Sequence, residues 1–455
     1  MGRIKSGFLI SLFIADTAVC FVQRPQQQNS RFTTRVWSTW QSHVSTHPVA
    51  MSALEKVLGE LVPTNDEKNI TFLFVGQSHE DDFEEIAQAA FPKIGGRMVA
   101  VLGAGVIGER MELDTPGQPC LSILTGKLPD GAHVDFFQGK SELVKSFKQE
   151  KDHSYLLLAD PFSDGLEDVL SEVPPQTIMV GGISCPTSDQ RSSLALDGNV
   201  LEKGTMLAVQ FSGTIGFQTI VAQGCRPIFG EQYIVTEVMN NNIITKLNDQ
   251  PALKVLHGSL TSLPPEEQGK LSGGLLCGLC SQPQENGVDF LCRQLAGFAP
   301  EVGGFAIGAS TVKEGDALIF QVRDKVTAEQ DLQLMVQRAK TTRLFNAGQH
   351  KSKILATLQI SCVARGRGLF EVPNVDLTQI QELLENEPVA GFYANGEIGP
   401  IGLAGFTKGS DDNEHPSFLH GFTTVAAILC EYPLVDDDKT RNEDALSVDE
   451  NDAWA

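Results

Sequence analysis

Apolar positions along this chain gather into short runs of strand length, separated by amphipathic stretches and glycine turns in a recurring order. A first unit opens with the run 71–75 and continues through 81–90, where the pattern predicts a helix. A strand at 98–102, a glycine turn at 103–108 and a strand at 120–124 complete it. A second unit has a strand at 155–159, then Leu166, Val169, Leu170 and Val173 at helical spacing, stopped by Pro174-Pro175. It ends with runs at 177–180 and 204–211 around Gly181-Gly182. A third unit is read as 273–279, a helix near 290–295, then 304–307, Gly308 and 317–322. A fourth takes 354–363, a helix with Leu377, Ile380 and Leu384, then 389–393, Gly396 and 418–430.

Such repetition predicts an α/β protein of two domains, each built from repeated β-α-β-β units with mixed sheets flanked by helices. Units one and two fill 51–248; units three and four fill 249–432. Between them, residues 216–247 alternate like strands. A helix is expected over 252–257, with Asp249 as its N-cap and Gly258 as its stop. A longer helix starts at Thr327, with Gln330 three residues on as a capping-box partner.

The two ends follow other rules. Arg3 and Lys5 precede an apolar stretch, and Ala18-Val19-Cys20 offers small residues for cleavage, so residues 1–20 read as a signal peptide. No Asp or Glu occurs from Thr17 to Leu54, while Arg24, Arg31 and Arg35 sit among Ser, Thr and Gln; residues 21–50 therefore read as transit-like. A signal joined to a transit segment, with Phe21 just after the cleavage point, resembles a bipartite plastid presequence. Plastid is the expected location and secretion the alternative. Residues 433–455 form an acidic tail, expected to be disordered.

Composition narrows the function classes. With 35 Lys and Arg against 57 Asp and Glu, the net charge is −22, which argues against a nucleic-acid surface. No apolar run reaches the roughly 18 residues of a membrane-spanning helix. Gly103-Ala104-Gly105-Val106-Ile107-Gly108 spells a dinucleotide fingerprint, but Thr115-Pro116-Gly117 leaves no room for the helix that would hold a pyrophosphate, so it reads as a tight turn. Cys277 and Cys280 lack the second ligand pair of a structural zinc site. They and Cys120, Cys185, Cys225, Cys362 and Cys430 read as core thiols. Neither a cofactor nor a metal nor a catalytic residue is assigned.

The densest polar constellation lies in unit four. Arg365 and Arg367 leave a strand among glycines, Gly396 and Glu397 follow a second strand, and His420 enters the last one. Glycines admit a close ligand and a guanidinium holds a carboxylate in a fork, so these five residues form the candidate ligand site. The alternative is an Arg–Glu brace between turns. Gly108-Glu109 echoes Gly396-Glu397 and suggests a related position. Cys362 with His420 as thiol and base is a third reading.

The strings Met179-Val180-Gly181-Gly182-Ile183-Ser184 and Gly224-Cys225-Arg226-Pro227-Ile228 resemble the N-terminal part of the FIST (F-box and intracellular signal transduction) family. Cys362-Val363-Ala364-Arg365-Gly366, Gly391-Phe392-Tyr393-Ala394-Asn395-Gly396-Glu397-Ile398-Gly399 and Leu419-His420-Gly421-Phe422-Thr423-Thr424 resemble its C-terminal part. The resemblance implies a sensory module that binds small ligands such as amino acids and passes a signal on. The stretch before unit one is too short for an F-box. The expected function is therefore small-ligand sensing, with an amino-acid-like carboxylate as partner, no nucleic acid and no stable membrane span. The alternatives are a protein-interaction scaffold without a metabolite and a Cys-dependent enzyme.

Overall fold

The computed structural model describes residues 40–433, apart from 63–65, 149–152, 189–190, 229–230, 272–273, 281–289, 309–311, 347–351, 385–386 and 406–413. Most of the presequence-like segment and the acidic tail from 434 onward lie outside the described residues. The transit-like stretch was expected to reach residue 50, but its last part is folded: Trp40 is buried and β1 (Gln41–Ser45) belongs to a sheet.

Three repeats share one plan. The first runs β1, α1 (Ala50–Glu60), β2 (Asn69–Gly76), α2 (Phe83–Ile94), β3 (Arg97–Gly103), β4 (Val106–Gly108), β5 (Met111–Leu113) and β6 (Leu121–Lys127). The second runs β7 (Ala132–Gln138), α3 (Gly139–Ser146), β8 (Ser154–Ala159), α4 (Leu166–Glu172), β9 (Ile178–Ile183), β10 (Leu194–Leu196), β11 (Asn199–Val200) and β12 (Met206–Gly213). The third begins with β13 (Ile215–Gln223) and then makes a long excursion. This comprises β14 (Cys225–Pro227), β15 (Tyr233–Met239), β16 (Ile243–Leu247), β17 (Gln250–Pro251), α5 (Ala252–Thr261), α6 (Pro265–Lys270), β18 (Leu275–Cys280), β19 (Leu291–Ala299), β20 (Gly304–Ile307) and β21 (Ala317–Arg323). The repeat resumes with α7 (Lys325–Asn346), β22 (Lys353–Cys362), α8 (Arg367–Phe370), α9 (Val375–Gln381), β23 (Val389–Ala394), β24 (Glu397–Gly399), β25 (Leu403–Ala404), β26 (Phe418–His420) and β27 (Thr423–Glu431).

In each repeat two central strands run parallel: β2 with β3, β8 with β9, and β22 with β23. The return strand pairs antiparallel beside them (β6, β12, β27), and the opening strand (β1, β7, β13) covers that strand's other edge. After the second parallel strand each repeat sends out a short arm, and no arm stays at home. The first repeat's β4 joins β23 of the third, the third repeat's β24 joins β9 of the second, and the second repeat's β10 joins β3 of the first. The exchange closes a ring.

Backbone hydrogen bonds repeat around that ring. The amides of Ala104, Cys185 and Asn395 donate to the carbonyls of Tyr393, Leu102 and Ile183, and the amides of those three donate to the carbonyls of Gly105, Ser193 and Gly396. The buried strands carry apolar residues on both faces for this reason. On β2, Phe72 and Phe74 enter a core shared by all three repeats, while Leu73 and Val75 pack with residues of α1 and α2. Phe74 and Phe392, from different repeats, stack at 5.8 Å.

At Gly391 the strands approach closely: a Cβ there would lie 1.7 Å from the Gln359 carbonyl oxygen on β22. Gly391→Ala is expected to cost about 1–3 kcal/mol by overpacking, read as a lower urea midpoint at unchanged slope.

The mixed α/β architecture matches the sequence pattern, and the expected units one, two and four are the three repeats. The expected third unit is different. Residues 291–299 are strand β19, not a helix, and the whole excursion is β-rich. Strands β21, β15, β16, β20, β19 and β18 pair antiparallel in that order, and β18 pairs β21 again, so they close a barrel. The expected domain boundary at 248 and 249 therefore falls inside this barrel, between β16 and β17. Helix α5 runs past Gly258 to Thr261 with Pro251, not Asp249, at its N-cap. At the start of α7 the Thr327 amide bonds the Asp324 carboxylate. Among the described residues, no helix is long and apolar enough to cross a membrane.

Candidate functional site

Because the arms occupy equivalent positions, the repeats can be compared with one another. Val106, Leu194 and Glu397 each lie opposite the residue that follows Gly391, or its counterparts Ala100 and Gly181. All three side chains are fully buried, and only the third is ionisable. Where the first central strand pairs antiparallel with the return strand, the same contrast recurs. Val75 faces Leu121 and Ala159 faces Met206, whereas Ser361 faces Thr424 and the two hydroxyls bond at 2.8 Å. The fold accepts apolar residues here, so the polarity of the third repeat is an addition to it.

Glu397 lies directly opposite His420 across β24 and β26, which puts both side chains on one face. One Glu397 oxygen accepts the Thr423 amide at 3.2 Å and the other, Oε1, has no partner. Burial holds its carboxyl well above the usual carboxylate range, against the Thr423 amide and the hydrogen bond from Cys362. His420 bonds the Gly399 carbonyl through Nε2 at 2.9 Å, and burial pushes its pKa down to about 4, so the ring is neutral at pH 7. Cys362 points to Glu397 rather than His420, and burial, then that carboxylate, pushes its thiol up. The thiol–imidazole contact expected of a Cys-dependent enzyme is not formed.

Neither Arg365 nor Arg367 forms an ion pair with Glu397, although the Arg365 charge is felt there and its Nη1 donates to the Phe422 carbonyl at 3.4 Å. Arg365 is buried, and its Nε and Nη2 bind the two oxygens of Asp376 at 2.7 and 2.8 Å. Its guanidinium is therefore occupied by a brace, whose carboxylate is Asp376 and not Glu397. Arg367 is about half exposed, and its amide bonds Asp114 at 2.6 Å. Gly396 has φ +142° and gives its carbonyl to Ile183 in the ring. Glu109, the expected echo of Glu397, sits three positions beyond the equivalent Val106, in the β4–β5 turn. Beside the brace, Glu112 from β5 accepts the Leu377 amide and the Gln359 side chain, and burial with the Asp376 charge raises its pKa to about 7.

Beyond His420 the structure opens. A cleft of about 610 Å³ lies between α4, strand β26 and the barrel strands β18 and β19. Its wall includes Arg293, Lys313, Glu167, Asp316, Ser417 and Phe418. Arg293 is half-buried, and its Nη1 bonds only the Cys292 carbonyl, at 3.0 Å. Among the described residues no carboxylate forms an ion pair with it. Burial pulls its pKa below the usual arginine value, with Glu167 opposing, and its charge is felt at His420. Glu397, His420 and Arg293 thus run in order from the ring interior to an open cleft. Sequence reasoning missed Arg293 because it lies in the segment read as a helix; on a strand, its alternation with Cys292 would have set it apart.

Two family models match the chain: the FIST N domain over residues 69–250 and the FIST C domain over 252–400. The chain belongs to the FIST family. Their junction falls between β17 and α5, inside the barrel. An uncharacterized protein of Mycobacterium tuberculosis is 31% identical over 373 residues, covering 79% of this chain and 91% of the relative. Another, from Mycobacterium bovis, is 30% identical over 402 residues, covering 85% and 97%. Membership is consistent with a sensory domain in signal transduction. The relatives are themselves uncharacterized and mycobacterial, and they lend a plastid address no support.

Proposed function

We propose that this FIST protein is a small-ligand sensor, and that the ligand carries a carboxylate, with amino acids as the best-fitting class. The observation that carries the proposal is Arg293: a half-buried guanidinium without a carboxylate partner among the described residues, on the wall of a cleft the size of ordinary ligand pockets. A guanidinium in that state gains a bidentate partner when a carboxylate arrives. Glu167 and Asp316 on the same wall suit an ammonium group. Neutral His420 behind Arg293 adds no competing positive charge.

The site differs from the expected one in its arginine. Glu397 and His420 stay as the supporting column and Gly396 as a ring contact, while Arg293 takes the part expected of Arg365 or Arg367. The test is thermal unfolding of the full chain against a panel of amino acids and organic acids. A ligand at 100 times its Kd raises stability by about 2.7 kcal/mol. A shift by one class that Arg293→Ala removes supports the proposal, with Arg293→Lys retaining part of it. No shift across the panel points instead to a scaffold, which the closed Arg365–Asp376 brace also suits.

A further inference from the structure

Among the described cysteines, one pair brings its sulfurs into contact. Cys292 Sγ lies 3.1 Å from Cys225 Sγ, although 67 positions separate them in sequence. Cys225 was expected to be a core thiol. Cys292 is buried in the barrel on β19, but Cys225 is half-buried on β14, a three-residue strand that pairs only with β21 and stands at the end of the strand order. A disulfide needs the sulfurs about 1 Å closer, and a short strand at a sheet edge is the element best able to move that far.

The position has consequences. Gly224 and Cys225 are where the chain leaves the ring strand β13, and Arg323 and Asp324 are where it returns. Cys225 pairs with Arg323, and the Asp324 amide bonds the Gly224 carbonyl at 3.2 Å. This is the neck of the excursion. Cys292 immediately precedes Arg293, whose guanidinium bonds the Cys292 carbonyl.

We propose that Cys225 and Cys292 are a reversible redox site, oxidised by a peroxide to a disulfide that clamps barrel strand β19 to the neck joining ring and barrel. Cys225, the more accessible sulfur, attacks the peroxide; the O–O bond breaks, one oxygen leaves as water, and Cys225 becomes a sulfenic acid. Cys292 then attacks that sulfur, the S–S bond forms and the second oxygen leaves as water. The two thiols lose two electrons and two protons, and hydrogen peroxide takes both. A dithiol reverses the step by exchange. Cys277, buried nearby, stands opposite Arg293 rather than Cys292 in the β18–β19 register and is the competing partner. The redox site stands whether or not the cleft binds a carboxylate.

The test uses the full chain, treated with hydrogen peroxide, alkylated under denaturing conditions and mapped by mass spectrometry. The expected result is a peptide linking Cys225 to Cys292, lost on adding dithiothreitol and absent in Cys225→Ser, with a raised thermal midpoint in the oxidised wild type. Recovery of both cysteines alkylated, a Cys277–Cys292 link, or sulfinic acid at Cys225 without a link would each overturn it. The mapping is made on wild-type protein, so it does not depend on a variant folding.

Discussion

Asp376→Ala is expected to destabilise the protein by about 3–5 kcal/mol, measured by urea unfolding. The substitution leaves the buried Arg365 guanidinium without the carboxylate that binds it, only Asp331 acting from farther off, and a severed buried pair costs that much because the remaining ion keeps its desolvation penalty. The pair has the geometry in which this penalty is fully felt: both side chains are essentially inaccessible, and both carboxylate oxygens are engaged. Arg365 stays cationic: burial pulls its pKa down, but Asp376 together with Asp331 more than offsets it. Removing both partners at once, Arg365→Met with Asp376→Leu, is expected to lose much less than the single substitution. A double variant as unstable as the single one would mean that the brace is needed for its shape alone.

The second large effect is the share of stability that Glu397 and Glu112 contribute, which falls as the pH rises while the lowered pKa of His420 works in the opposite direction. Glu397 and Glu112 both hold protons in the fold that they release in the unfolded chain. Each folded pKa is raised, so the folded state binds more protons, and stability is lost as pH increases from the unfolded carboxylate value toward the folded one. For Glu112 that window runs from about 4.5 to about 7. Within such a window each group removes about 1.4 kcal/mol per pH unit. Glu112→Gln is expected to flatten the thermal midpoint over this range. Glu397→Gln is expected to match wild type in acid and to exceed it increasingly above pH 4.5, keeping an acceptor for the Thr423 amide. Equal pH profiles for both variants and the wild type would show that neither carboxyl is held protonated. A gain at Glu397 carries a further meaning, because Val106 and Leu194 fill the same place in the other repeats: an expensive acid where the fold accepts an apolar residue is retained for something other than stability.

Much of the ring was legible in the chain, since its repeat is written in apolar runs and glycine turns of fixed order. The run 71–75, the helical spacing of Leu166, Val169, Leu170 and Val173, and the turn at Gly103 all became the elements expected of them. The exchange of arms was not legible, because Val106, Leu194 and Ile398 are apolar whichever sheet receives them. The barrel failed for a local reason. Residues 290–295 mix apolar and polar positions over too short a span to separate a period of two from one near 3.6. That error hid Arg293. The two glutamates could not be ranked either: Gly108-Glu109 and Gly396-Glu397 look alike in sequence, and only strand register shows that Glu397 aligns with Val106.

The most direct measurement sets two arginines against each other: the ligand-induced thermal shift of wild type, Arg293→Ala and Arg367→Ala, with amino acids and organic acids at millimolar concentration. Arg367 is exposed and outside the cleft, so its loss leaves binding intact if the cleft is the site. The expected result is a carboxylate-dependent shift that survives Arg367→Ala and vanishes in Arg293→Ala, with both variants unfolding as cooperatively as wild type. A shift that vanishes in Arg367→Ala and survives Arg293→Ala would contradict the account and return the site to the glycine-rich end of β22.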